Sequence, residues 1–99
     1  VNIFHKIIRV YPTEDFKVYL YFTDGKIKLF DAKELVNQGI FQQLRNEEKF
    51  KETCTVLNDT LAWDLSGKRD PSDCLDLDPE ELYEKCPDVE EPEINSAIH

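Results

Sequence analysis

The sequence is short of the features that announce most functions. No apolar run approaches the ~20 residues a membrane-spanning helix requires, and the first residues lack the charged, apolar, small-residue layout of a secretory leader. Methionine is absent, so the initiator is expected to have been removed or replaced. The three cysteines, Cys54, Cys74 and Cys86, are odd in number and form no Cys-x-x-Cys pair. That speaks against a disulfide framework or a zinc knuckle and for reduced thiols in the cytoplasm. Histidine is nearly missing too, with His5 near a strand start and His99 as the last residue. Neither has a partner at a suggestive spacing. Nucleophilic hydrolysis needs a Ser or Cys beside a positioned base, so an enzyme is not expected.

What is present is acid, unevenly placed. The 99 residues carry a net charge of −9. Residues 1–63 hold nine acids and nine bases, whereas residues 64–99 hold twelve acids against three bases, so the second part supplies the whole imbalance. Such asymmetry marks a solvated end or a surface held for a cationic partner. A length of 99 residues allows one domain. Its 40% apolar content lets that domain fold without disulfide or metal.

The pattern along the chain is that of an α+β domain over residues 1–86: a small, antiparallel-rich sheet of two hairpins and an N-terminal strand, packed with two or three short helices. Phe4 to Val10 is β-branched and apolar, with Phe4, Ile8 and Val10 expected on one face. Lys17 to Phe22 alternates, Asp24-Gly25 suits a two-residue type I′ turn, and Lys26 to Phe30 returns. That register sets Phe22 against Ile27 and Leu20 against Leu29 in the core. It leaves Lys17, Tyr19, Tyr21, Lys26, Lys28 and Phe30 on the opposite face. Asp31 is expected to cap a short helix ended by Gly39, and Asn46 a second helix burying Phe50. In the second hairpin Asn58-Asp59 again suits a type I′ turn, which puts Cys54, Val56, Leu61 and Trp63 on the core face and threonines in solvent. Cys74 to Leu77 can add a short strand. Asp78-Pro79-Glu80-Glu81 reads as the start of a last helix, stopped by Pro87. Residues 87–99 have few apolar anchors and are expected to form a flexible acidic tail.

This order of signals resembles the bacterial domain of unknown function 2442 family. The resemblance runs from about residue 5 to 85. It is carried by Phe22-Thr-Asp-Gly25, a strand closed by Asp31, Phe41 with Leu44-Arg45, the Phe50 helix, Ala62-Trp63-Asp64, and Cys74-Leu-Asp-Leu-Asp-Pro79 with Leu82-Tyr83-Glu84. A longer Asp64–Asp73 segment stands where the family often has a short Trp-Pro-Asn-Gly-type turn. The resemblance implies a small mixed sheet with packed helices, a bacterial cytoplasmic setting and no established activity. Some relatives look like regulators with an added helix-turn-helix domain, for which 99 residues leave no room. Others sit beside toxin-like proteins as antitoxin-like partners.

Two surfaces are candidates. The Tyr19, Tyr21, Phe30 face with Lys17, Lys26 and Lys28 suits a protein contact. Nucleic acid is not expected at a net charge of −9, because phosphate contacts dominate that affinity. The acids Asp70, Asp73 and Asp76 form the second surface, for a basic protein or for the lysine face of a second copy in a homodimer. No cofactor, metal or membrane contact is expected. The expected function is therefore a non-enzymatic protein-interaction module. The alternative is an accessory domain that binds a small molecule or ion through the acidic residues 64–81, whose spacing does not match an EF-hand loop.

Overall fold

A computed structural model describes residues 4–69 and 74–92. They form two three-stranded antiparallel sheets with helices packed on them, an α+β fold. The first sheet has the order β1 (Ile7–Pro12), β2 (Lys17–Phe22), β3 (Ile27–Asp31). The second has the order β4 (Cys54–Leu57), β5 (Thr60–Asp64), β6 (Cys74–Asp76). Helix α1 (Glu47–Thr53) is capped by the Asn46 side chain, which accepts from Lys49 N–H at 3.2 Å. Helix α2 (Pro79–Lys85) is capped by Asp78, which accepts from Glu80 N–H at 3.0 Å, with Pro79 at the first helical position. No helix among the described residues is long and apolar enough to cross a membrane.

One core lies between the sheets. Val18, Leu20 and Phe22 of β2 meet Leu61 and Trp63 of β5, and Phe50 of α1, Leu44, Leu82 and Cys86 close it. Aromatic rings fill its centre. Trp63 lies 5.4 Å from Phe50 and 6.2 Å from Phe41 between centroids, and Phe16 meets Phe50 edge-on at 5.2 Å. The sheets are joined where Ile7 N–H donates to Asp59 C=O at 2.8 Å.

The second hairpin has the expected register, with Cys54 opposite Trp63 and Leu57 opposite Thr60. Asn58 and Asp59 both take positive φ, 51° and 64°, as a type I′ turn demands. Its threonine side is not solvated, however. Thr60 and Ala62 are buried, and Thr60 Oγ1 donates to Leu77 C=O at 2.6 Å. The Asp64 carboxylate folds the following loop back by accepting from Gly67 N–H at 3.1 Å and Arg69 N–H at 2.8 Å. Arg69 then donates to Val56 C=O at 3.3 Å.

The first hairpin departs from its expected register. Gly25 N–H donates to Phe22 C=O and Phe22 N–H to Lys26 C=O, both at 3.0 Å, so the loop is Thr23-Asp24-Gly25 with Gly25 at φ +91°. This is a turn followed by a left-handed glycine that forms a bulge, the usual three-residue hairpin. One added loop residue slides β3 by one position. Tyr21 therefore pairs with Ile27, Tyr19 with Leu29, Leu20 with Lys28 and Val18 with Phe30. Ile27 and Leu29 share the outer face with the tyrosines, while Lys28 and Phe30 turn towards the core. β1 also shifts. A bulge between Ile7 and Arg9 buries Ile7 and leaves Ile8 61% exposed, so Ile8 does not share the inward face of Val10.

The segment after Asp31 is 3-10 rather than one capped helix. Short turns span Leu35–Asn37 and Gly39–Arg45, and Gly39 opens the second instead of ending the first. The first residues of the segment expected to form a tail contact the first sheet. Leu29 N–H donates to Pro87 C=O at 3.1 Å, and Val89 N–H to Ile27 C=O at 2.9 Å, so Pro87–Val89 pairs with the edge of β3.

Candidate functional site: a groove between strand β3 and helix α2

The register of β3 decides what can happen at its edge. Lys28, turned inward, is 7% exposed. Its ammonium reaches Asp88 Oδ1 at 2.7 Å and Cys86 C=O at 3.3 Å, and lies 4.7 Å above the Tyr83 ring. Tyr83 donates to Asp24 Oδ2 at 2.5 Å and stacks on His5 at 3.5 Å. His5 in turn gives its backbone N–H to Glu80 Oε2 at 2.6 Å, and its ring Nδ1 lies 2.7 Å from Glu80 Oε1. These contacts clamp α2 and the residues after it to the first sheet. They also perturb the groups involved. The Tyr83 hydroxyl holds Asp24 below the usual carboxylate range, His5 does so for Glu80, and Lys28 for Asp88. Tyr83, donating to Asp24, is pushed up to about 12.

The clamp holds α2 beside β3 without closing the space between them. A groove of about 570 Å³ remains, with Leu29, Phe30, Leu35, Leu77, Leu82 and Cys86 as its apolar wall. Lys17, Asp31, Glu81 and Lys85 stand at its rim, and Glu81 pairs with Lys85 at 3.3 Å. Leu29 and Phe30 point to opposite faces of the sheet, yet both line the groove. It therefore opens on the edge of the strand. In an antiparallel ladder alternate residues turn their N–H and C=O outward. Phe22 bonds Lys26, and Ala32 N–H donates to Phe16 C=O at 2.8 Å, so residues 28 and 30 face β2 while 27, 29 and 31 face outward. Pro87 and Val89 use Leu29 N–H and Ile27 C=O. Pro87 has no N–H to give to Leu29 C=O.

The structure disperses the tyrosine and lysine face. Lys17, Tyr19 and Tyr21 stay on the outer face with Ile27 and Leu29, and the Arg9 guanidinium lies 5.0 Å from the Tyr21 ring centre. Lys26 is exposed at the turn, Lys28 is buried, and Phe30 lines the groove. Of the acidic candidates, Asp76 is exposed, while Asp70 and Asp73 lie outside the described residues. Of the expected core, Phe22, Leu61 and Trp63 are buried and Cys54 and Val56 pack against them, whereas Ile27 and Leu29 do not. Burial pushes the Cys54 thiol up to about 12.

Among the described residues, most acids of 64–81 are engaged. Asp64 organises its loop, Asp78 caps α2 and Glu80 holds His5. Among the described residues no three His, Cys, Asp or Glu side chains are grouped to hold a metal ion. The sequence reading missed the His5–Glu80 pair, because its members are 75 positions apart. It missed the groove as well, although Leu82 and Cys86, four apart on a helix that ends at a proline, were the available signal.

No curated protein and no solved structure matches the chain. A family model does, over residues 7–88, which is most of the fold and every element of the groove. The chain belongs to the family described as protein of unknown function DUF2442.

Proposed function

We propose that this chain is a non-enzymatic protein-interaction domain that holds its partner in the groove between β3 and α2. The groove itself carries the reading. Its ~570 Å³ falls within the roughly 300–1,000 Å³ typical of ligand sites, and its wall is apolar with charges only at the rim. The partner is a basic protein. The negative field of residues 64–99 raises its encounter rate, while the apolar wall supplies affinity. A homodimer through the lysine face has less support, because Lys28 and Phe30 are not on that face. An ion or small molecule held by residues 64–81 also has less support, because Asp64, Asp78 and Glu80 already serve the fold.

Affinity capture from cells of the native host tests this, with wild type run beside Lys85→Trp and Glu81→Lys. Both residues are exposed, so the variants should keep their melting temperatures to within the small effects usual at surfaces. A basic protein retained by wild type and lost by both variants is the expected result. Equal retention by all three would place the contact elsewhere, and retention of nothing by wild type would remove the interaction reading.

A further inference from the structure

We infer that the outer face of the first sheet is a contact for a second copy of this chain, packed face to face about a twofold axis. This goes beyond the groove reading and uses a different surface. The register of the first hairpin makes that face. Because β3 slides by one position, Ile27 and Leu29 stand outward beside Tyr21 and Tyr19, where a two-residue loop would have set Lys28 and Phe30. Ile8, displaced by the bulge in β1, is 61% exposed. An antiparallel sheet with one solvated face normally turns apolar residues inward and polar ones outward. Here the outward side chains are largely aromatic and aliphatic as well, and they are only half-buried.

The face is complementary to itself. Pro87–Val89 extends the sheet beyond β3, so four strands lie side by side. Asp88 pairs with inward Lys28, so by alternation Val89 and Glu91 fall on the outer side. Burial, and then the Glu91 carboxylate, raise the Tyr21 hydroxyl above its usual pKa, as expected if Glu91 stands near that ring. A twofold axis along the strands, between β2 and β3, lays β2 of one copy on β3 of the other and β1 on the run after Pro87. Tyr21 then meets Ile27 of the second copy, and Tyr19 meets its Leu29. Lys17 meets Asp31 across the axis, and Arg9 meets Glu91. Among the described residues none of these four charged groups has an ion pair. Strands about 4.8 Å apart and same-face residues about 6.8 Å apart give a face of roughly 400 Å² per copy. That is about half the ~800 Å² per partner of a standard interface, so the dimer is weak and concentration-dependent. Phe30, turned to the opposite side of the sheet, is not covered by it.

Sedimentation equilibrium of the full chain over a dilution series, with 15N spectra at the same concentrations, tests this. Wild type should form a dimer, with concentration-dependent amide shifts at 9–11, 19–21 and 27–29. Arg9→Glu and Glu91→Arg, both at exposed positions, should each weaken self-association about tenfold or more. Each turns two symmetry-related attractions into repulsions. An equimolar mixture of the two variants should associate as wild type does, because one copy is then acidic at both positions and the other basic at both. That rescue acts only between copies. A monomer at every concentration, a dimer that neither variant weakens, or a mixture no stronger than the single variants would overturn the contact. If the full chain is monomeric and a chain ended at Pro92 dimerises, residues 93–99 occupy the face and the second copy is ruled out. Lys85→Trp, which alters the groove, should dimerise as wild type does. Failure of the dimer therefore leaves the groove reading to the capture experiment.

Discussion

Lys28 shows how one side chain follows from one loop residue. Turned inward, its ammonium depends on Asp88, which is itself 63% exposed. The two partners are therefore not equivalent. Removing Asp88 strands a buried cation with only a carbonyl and a ring face, whereas removing Lys28 leaves a carboxylate that water can solvate. Asp88→Ala should lower the melting temperature more than Lys28→Met, and equal shifts would show that the pair is not the clamp described. Acid should act on the same clamp. Asp24, Glu80 and Asp88 bind protons more weakly folded than unfolded, so their contribution is complete above about pH 4–5 and lost as pH falls through their lowered values. Tyr83 has the opposite sign. Its contribution is complete below about pH 10 and lost as pH rises towards 12. Melting curves across pH should therefore fall on both sides. The acid limb should flatten in Asp24→Asn with Glu80→Gln; an unchanged limb would assign acid sensitivity to other carboxyls.

At the scale of elements, legibility depended on whether local residues settled a choice by themselves. Asn58-Asp59 did, since both take positive φ and the hairpin register follows. Asp78-Pro79 did too, by cap and N1 proline. Asp24-Gly25 did not. The same pair fits the centre of a two-residue turn or the end of a three-residue loop, and contacts distant in sequence separate the two, such as Tyr83 with Asp24 and Asp88 with Lys28. The groove was illegible for the same reason, being made from an edge register and a helix some fifty positions later. Two element predictions follow from packing. Trp63→Ala, which empties the centre of the aromatic cluster, should cost about 3–5 kcal/mol in denaturant unfolding. An unchanged midpoint would contradict the core. Ending the chain at Cys86 removes two backbone hydrogen bonds, at about 0.5–1.5 kcal/mol each, and with them the Asp88 carboxylate that pairs with buried Lys28. A loss of at least about 1–3 kcal/mol is expected from the backbone bonds, and none would mean Pro87–Val89 does not dock.

At the scale of the whole molecule, the proposed function assigns separate roles to charge and to shape. On the reading proposed above, the acidic second part would gather a basic partner from solution, a step that weakens with salt over a screening length of about 8–10 Å. The groove, neutral at its rim and apolar within, would then retain it. Salt should therefore slow association more than it speeds dissociation. The most direct test of this division is amide shift mapping of the 15N-labelled chain with the captured partner, at low and at physiological salt. The account predicts that the largest shifts fall on 29–31, Leu77 and 81–87 at both salts, with the affinity but not the map changing. Shifts confined to Tyr11, Tyr19 and Tyr21 on the outer face, or to the loop around Asp64, would contradict it.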